Sequence, residues 1–302
     1  MPAVQAYARY QSIRHRLPQV RRAAPALAVS GLEEIAEQFD VFLFDAYGVL
    51  NVGSSAIAGT AEVVAALQAQ GKECFVVSNA AGFEKNFYLG KYSGLGYDFA
   101  LENIVTSRDA LLEALAEYPR QLTWGRIGAA EHQTDLADYQ IIDQDAPQFL
   151  QADGFLFFSP HRWNAERQAA LEAALINHPR PVLLGNPDLI APLGKTSSIE
   201  AGTYALFFPD AVHEKTRVFG KPFPAIYDIV VKRLAARGIA FQPERCLMLG
   251  DTLHTDILGG NAYGIKTALL YGHGFFKDLD YRHYIADSGI SPDFVMAQVG
   301  KS

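Results

Sequence analysis

The chain has 302 residues, enough for about two domains and a large core, and its 49% hydrophobic and 20% charged residues exclude disorder, collagen and a disulfide scaffold. Its 26 Lys and Arg against 33 Asp and Glu leave a net charge of −7, which lacks the basic field that nucleic-acid binding relies on. No apolar run nears the roughly 18 residues of a membrane span, so neither nucleic acid nor membrane is an expected partner.

Residues 1 to 32 carry Arg9, Arg14, Arg16, Arg21 and Arg22 and no acid, a composition shared with mitochondrial transit peptides. Tyr7, Tyr10, Ile13 and Leu17 stand at helical spacing and point instead to an N-terminal helix or arm over 1–30. Ser30 followed by Glu33 and Glu34 predicts a capped helical turn running to about Gln38. The continuous apolar run Val41 to Phe44, ending in Asp45, predicts a strand buried on both faces. Then come a helix over Thr60 to Gln70, a second buried strand over Glu73 to Ser78, a helix over Glu84 to Gly94 and a short strand over Asn103 to Ser107. Strands alternating with helices imply a parallel sheet with right-handed crossovers.

Between about 110 and 210 the pattern changes to short strands at Trp124 to Gly128, Gln140 to Asp143, Gly154 to Phe158 and Pro181 to Gly185, with a helix over Ala165 to Ile176. This predicts a separate α/β unit inserted into the first, over 110–210, with 31–109 and 211–302 as one discontinuous core. The earlier pattern resumes with a helix over Pro224 to Arg237, a strand over Cys246 to Leu249, a loop to Asp256, a short helix to Tyr263 and a strand over Lys266 to Leu270. Cys74 and Cys246 both fall in apolar strands without a CxxC pair, so they read as buried thiols in a reducing compartment, and the expected location is cytoplasmic. Gly194-Lys195-Thr196 resembles the end of a P-loop, but Leu189 stands where its first glycine belongs.

Four features fall at the carboxyl ends of the predicted parallel strands, where open α/β sheets bind ligands. Asp45 lies in Asp45-Ala46-Tyr47-Gly48, Ser78-Asn79 ends the second strand, Lys221 lies in Gly220-Lys221-Pro222, and Asp251 and Asp256 follow the strand at Cys246. A carboxylate such as Asp45 can act as a covalent nucleophile. Asp45, Asp251 and Asp256 together would repel unless a cation sat among them, which implies Mg²⁺. Lys221 would neutralise the transferred group, and Ser78 with nearby backbone N–H groups would hold its oxygens.

The ordered set resembles the four motifs of the haloacid dehalogenase (HAD) superfamily of hydrolases, and is most similar to its NagD-like branch, subfamily IIA, which holds nitrophenylphosphatase-type and pyridoxal-phosphate-phosphatase-type enzymes. The resemblance covers residues 32 to about 272 and is carried by the order of four individually weak motifs. It implies a Rossmann-like parallel-sheet core with an inserted α/β (C2-type) cap, and the 142 positions between Ser78 and Lys221 leave room for one. It also implies substrate contacts from Ser78, Asn79, Lys221 and the cap residues Asn186 and Asp188 of Gly185-Asn186-Pro187-Asp188, with Glu200-Ala201-Gly202 similar to a glycine-bearing segment beyond it. A homodimer through the cap is a further expectation.

Tyr47 departs from the pattern. Phosphatases of the superfamily carry Asp-x-Asp-Gly, whose second Asp is the general acid and base and lends its backbone carbonyl to the metal. Tyr47 keeps the carbonyl, but a phenol is a weak acid and a rare base at neutral pH. The resulting expectation is a Mg²⁺-dependent hydrolase of a small phosphorylated metabolite, working through an aspartyl-phosphate and slowed by Tyr47. Two alternatives stand beside it. The string Asp-Ala-Tyr-Gly also resembles metal-independent 2-haloacid dehalogenases, and loss of the acid would equally suit a catalytically impaired phosphometabolite-binding protein. His254 is the first candidate for a displaced acid.

Overall fold

The computed structural model describes residues 1–19, 25–131, 133–192 and 196–300, so Arg21, Arg22, Gly194 and Lys195 lie outside the described residues. Among the described residues the core is a seven-stranded, wholly parallel sheet in the order Leu27–Ala28, Phe294–Met296, Lys266–Leu270, Cys246–Gly250, Val41–Phe44, Glu73–Ser78, Ile104–Thr106. From Val41–Phe44 the chain winds outward in one direction to Ile104–Thr106, and after the insertion it winds in the other from Cys246–Gly250. That reversal opens a crevice at the carboxyl ends of the two central strands.

The alternation within Val41–Phe44 explains its complete burial. Phe42 and Phe44 pack with Val64, Leu67 and Tyr92 on one face of the sheet, while Val41 and Leu43 pack with Leu111, Ile226 and Val230 on the other. Helices on both faces leave no room for polar residues along the strand, hence the unbroken apolar run. Cys74 and Cys246 are buried free thiols, as expected.

The inserted unit has its own five-stranded parallel sheet, ordered Thr216–Val218, Val182–Leu184, Gly154–Phe157, Thr123–Ile127, Gln140–Asp143. Thr216–Val218 corrects the expected boundary: the cap runs past 210, because this strand pairs with Val182–Leu184 before the chain re-enters the core. Its Thr-Arg-Val stretch is only partly buried, so it lacked the apolar run that revealed its neighbours. The predicted helix to Gln38 is instead two short 3₁₀ turns, Leu32–Glu34 and Ala36–Gln38. The segment is too short to repay α-helix nucleation before the strand begins. Among the described residues no helix is long and apolar enough to cross a membrane.

The N-terminal segment forms a helix over Ala3–Ser12 that spans the junction of cap and core. Tyr7 donates its hydroxyl to Asp287 of the core at 2.5 Å, and Arg9 donates to the cap carbonyl of Thr203 at 2.9 Å. The Tyr10 ring stacks on His254 of the core, centroids 4.8 Å apart, while its hydroxyl accepts the cap N–H of Leu189 at 3.0 Å. A second tether is Arg108, buried in a core helix, which donates twice to the cap residue Asp135 at 2.7 and 2.8 Å. Tyr10→Ala is expected to lower stability by about 3–5 kcal/mol through cavity formation and loss of the tether. Tyr10→Phe should cost about 1–3 kcal/mol, since it leaves the Leu189 N–H buried and unpaired. Urea unfolding of both variants checks the order.

Candidate active site

Each expected motif arrives at the crevice by a distinct local route. Asp45 follows the last residue of its strand, and its backbone N–H extends the pairing by donating to Leu249 at 2.9 Å, which sets it beside Asp251 at the end of the neighbouring strand. The chain then turns sharply at Gly48, whose φ is +81° and where a Cβ would stand 2.5 Å from an Asp251 carboxylate oxygen. Glycine is required there by both conformation and space. Asp256 is carried on a wide helical turn, Leu253–Ile257, that continues into the helix Leu258–Tyr263.

Lys221 is the electrostatic centre. Its Nζ lies 2.5 Å from Asp45 Oδ1, 2.7 Å from Asp256 Oδ1 and 2.7 Å from the Val77 carbonyl, with its side chain almost wholly buried. Burial alone would discharge the ammonium, but Asp256 and Asp45 outweigh it and hold Lys221 above its ordinary range. Asn79 fixes the lysine by clasping its backbone: the Lys221 N–H donates to Asn79 Oδ1 at 2.7 Å, and Asn79 Nδ2 donates to the Lys221 carbonyl at 2.9 Å.

The three acids stand close. One oxygen from each of Asp45, Asp251 and Asp256 lies within 4.8 Å of the others. Burial, then Asp45 and Asp256, pushes the Asp251 carboxyl well above the usual range. Asp256 is pushed up to about 6 by burial, with Lys221 pulling against it and Asp45 adding to it. Asp256 Oδ1 is buried and, despite its proximity to Lys221, has no hydrogen bond of good geometry. Hard oxygen donors, more negative than one ammonium can offset, with a buried Asp256 oxygen whose one neighbour is the Lys221 ammonium poorly aligned to it, fit a small divalent cation.

A cavity of about 730 Å³ opens over this cluster. Asp45, Tyr47, Ser78, Asn186, Asp188, Lys221, Asp251 and Asp256 all line it, so the structure brings together eight residues anticipated from the sequence. Asn79 does not line it. Its polar atoms are spent on Lys221 and on Asp188 Oδ1, to which Nδ2 donates at 2.8 Å, so it positions the lysine and ties the cap to the core instead of meeting substrate. His254 is also absent from the wall: it is buried under Tyr10, its Nε2 lies 3.0 Å from Gln11 Oε1, and burial holds its pKa down at about 3. A sealed, neutral imidazole cannot serve as the displaced acid.

Lys91, Phe83 and Phe87 on the wall escaped the sequence reading, and Glu200 was noted only as part of a cap segment, with no site role. Lys91 places its Nζ 4.2 Å above the Tyr47 ring, and burial lowers its pKa to about 8. Phe83 and Phe87 stack at 4.2 Å and stand partly exposed at the mouth. Glu200 reaches in from the cap. Lys91, Phe83 and Phe87 sit in no recognisable motif, and helix Lys85–Gly94 is too weakly amphipathic to reveal which face meets a ligand.

A fold of this topology, with a carboxylate, a buried lysine and an acidic pair at the switch point, defines a class of hydrolases, and family models agree. One described as haloacid dehalogenase-like hydrolase matches residues 42–142, and one described as HAD-hydrolase-like matches residues 218–302. The chain belongs to the haloacid dehalogenase-like hydrolases. It is similar to a glycerol-3-phosphate phosphatase of Homo sapiens, at 28% identity over 275 residues, 80% of this chain and 82% of the human protein. A 4-nitrophenylphosphatase of Schizosaccharomyces pombe is 23% identical over 291 residues, 89% of this chain and 95% of that protein. The crystal structure of a possible sugar phosphatase of the HAD superfamily from Cytophaga hutchinsonii shares the fold, with a TM-score of 0.80 over 92% of this chain and 100% of its own at 22% identity.

Proposed function

We propose that the protein is a Mg²⁺-dependent phosphatase of small phosphorylated metabolites that works through an aspartyl-phosphate on Asp45. The observation that carries this is the Asp45 carboxylate at the topological switch point, 2.5 Å from the Lys221 ammonium and grouped with Asp251 and Asp256. Asp251, Asp256, Asp45 and the Tyr47 carbonyl would hold the metal, which when bound supplies the positive charge that lets an anionic nucleophile approach an anionic phosphate. Lys221 neutralises the transferred group, and the Ser78 hydroxyl, at the cavity wall, offers it a hydrogen bond. The similarity to glycerol-3-phosphate phosphatase and 4-nitrophenylphosphatase supports a phosphomonoester substrate. The cavity volume suits a metabolite of modest size.

Tyr47 favours a second reading, metal-free 2-haloacid dehalogenation, in which no leaving group needs a proton. Against it stands the acid trio, whose mutual repulsion serves nothing without a cation. The discriminating experiment is turnover of a phosphomonoester panel and of 2-chloropropionate, each with Mg²⁺ and with chelator. Phosphate release that chelator abolishes is expected; chelator-insensitive halide release would overturn the phosphatase reading. Metal-dependent binding of phosphate esters without turnover would identify an impaired binding protein. Saturating Mg²⁺ should also raise the thermal midpoint, since a ligand at a hundred times its Kd adds about 2.7 kcal/mol.

A further inference from the structure

In HAD phosphatases with a second motif-one Asp, that residue protonates the departing oxygen. Here the position holds Tyr47, and a phenol, which ordinarily titrates at about pH 10, is a poor proton donor and no base at neutral pH. His254 is sealed from the cavity, Asp251 and Asp256 belong to the cation site, and Lys221 is locked as a fixed charge. Asp188 is pinned by Asn79. Three ionisable groups of the cavity wall then remain without a task, Lys91, Glu200 and Tyr88, and Tyr88 is a buried phenol as poor a proton donor as Tyr47.

We propose that Glu200, supplied by the cap, protonates the leaving-group oxygen and afterwards takes the proton of the attacking water, replacing the carboxylate that Tyr47 displaced. This rests on the phosphatase reading above and names the residue that reading lacks.

The placement of Glu200 is what recommends it. It follows the strand Ser197–Ile199, which pairs with Ile190–Pro192 as a hairpin at the cavity wall, and its own N–H donates to the Leu189 carbonyl at 3.0 Å. Asn186 Nδ2 donates to Glu200 Oε2 at 3.0 Å, while Asn186 Oδ1 accepts the Asp188 N–H at 2.9 Å. Asp188 in turn accepts from Asn79, which clasps Lys221. A continuous chain of hydrogen bonds thus holds the cap carboxyl in register with the lysine that contacts the nucleophile, the fixed positioning that a proton donor needs. Ser198 also bonds Glu200 Oε1, and its oxygen lies 3.4 Å from the Ala191 carbonyl. A hydroxyl that turns its single proton to Ala191 is free to accept one from a protonated Glu200. Burial raises the Glu200 carboxyl, against the pull of Ser198 and Asn186, and so favours that protonated form.

Lys91 fits a different task. Its ammonium lies over the faces of Tyr47 and Tyr92, at 4.2 and 5.2 Å, a contact that favours the charged form. It is suited to drawing an anion into the cavity.

The chemistry balances. Asp45 forms a bond to phosphorus as the bond to the leaving oxygen breaks, and that oxygen keeps the electron pair and takes the Glu200 proton, releasing an alcohol. The Glu200 carboxylate then removes a proton from water as it attacks phosphorus. The bond to Asp45 breaks, phosphate leaves, and the carboxylate of Asp45 and the acid form of Glu200 are restored.

The test compares kcat/KM for an alkyl ester, glycerol 3-phosphate, with an aryl ester, 4-nitrophenyl phosphate, using the full chain with Mg²⁺. Glu200→Gln should lower the alkyl value about 10²- to 10⁴-fold, the usual worth of a positioned acid, and the aryl value far less, because nitrophenolate leaves unaided. Tyr47→Asp in the Glu200→Gln background should restore alkyl turnover. With the aryl ester, loss of the base should also leave a pre-steady-state burst of nitrophenol of one equivalent per enzyme. Equal losses on both esters, unchanged alkyl turnover, or a leaving-group-selective loss in Lys91→Met instead would overturn the assignment. Should Glu200→Gln fail to fold, Glu200→Asp keeps the acid but shortens its reach, and an equal loss on both esters there overturns it as well. A wild type that releases phosphate from neither ester would refute the phosphatase reading itself, and this assignment with it.

Discussion

Asp45→Asn should abolish turnover, by about 10⁴-fold or more, the scale on which removal of a covalent nucleophile acts. The amide keeps the volume of the carboxylate and is a poor nucleophile, so binding of a phosphate ester should survive. The more diagnostic outcome is in stability. Asp45 lies in a crowded set of buried acids and contributes to the raised carboxyls of both Asp251 and Asp256. Its neutralisation relieves that repulsion, while Lys221 keeps Asp256 as a partner. In chelator the variant should therefore unfold at the same temperature as wild type or above it, and Mg²⁺ should stabilise it less. Thermal unfolding with and without Mg²⁺, run beside phosphate release, checks both. Retained turnover would remove Asp45 from the chemistry altogether.

Lys221→Met is expected to damage both fold and function. The lysine is buried, and its loss leaves Asp45 and Asp256 facing one another without a counter-charge. Removing one partner of a buried ion pair typically costs 3–5 kcal/mol, because the other charge remains desolvated and unpaired. The substitution also removes the donor to the Val77 carbonyl. Turnover should fall a further 10²- to 10³-fold, about the loss seen when one charge-stabilising donor is taken from a transition state. Mg²⁺ should recover part of the stability but not the rate, since a cation among Asp45, Asp251 and Asp256 compensates the acids without replacing the lysine at the transferred group. A chemical denaturation series in chelator and in Mg²⁺, paired with kcat, separates the two effects. A variant as stable as wild type in chelator would contradict the account of Lys221 as the charge that holds the acids together.

Strands buried on both faces were legible because burial leaves only one kind of residue available. Val41–Phe44 and Cys246–Gly250 read directly as apolar runs ending in an acid or glycine. Once those strands are parallel neighbours, Asp45 and Asp251 must meet at their carboxyl ends. Lys221 was recognisable because its Gly-Lys-Pro setting is local. Elements that draw stability from partners were not legible: Thr216–Val218 is half-exposed and joins the cap only through pairing, and the strand Leu27–Ala28 is an exposed two-residue edge. His254 shows the same limit within the site. Its position between Asp251 and Asp256 in the sequence suggested a catalytic neighbour, yet the wide turn at Leu253–Ile257 points it away, under Tyr10 of the N-terminal helix.

By itself the sequence determined the class of fold and pointed to Asp45, the buried lysine and the acidic pair, because each is encoded within a few residues by burial period or a short motif. Only the tertiary structure decided which side chains share the cavity with them. Lys91, Phe87 and Glu200 come from a helix and a cap hairpin far apart in the chain, and their meeting depends on how the cap is seated. The tethers of Tyr10, Arg108 and Asn79 set that seating through contacts between residues 27 to 244 positions apart, and no local pattern in the chain records it.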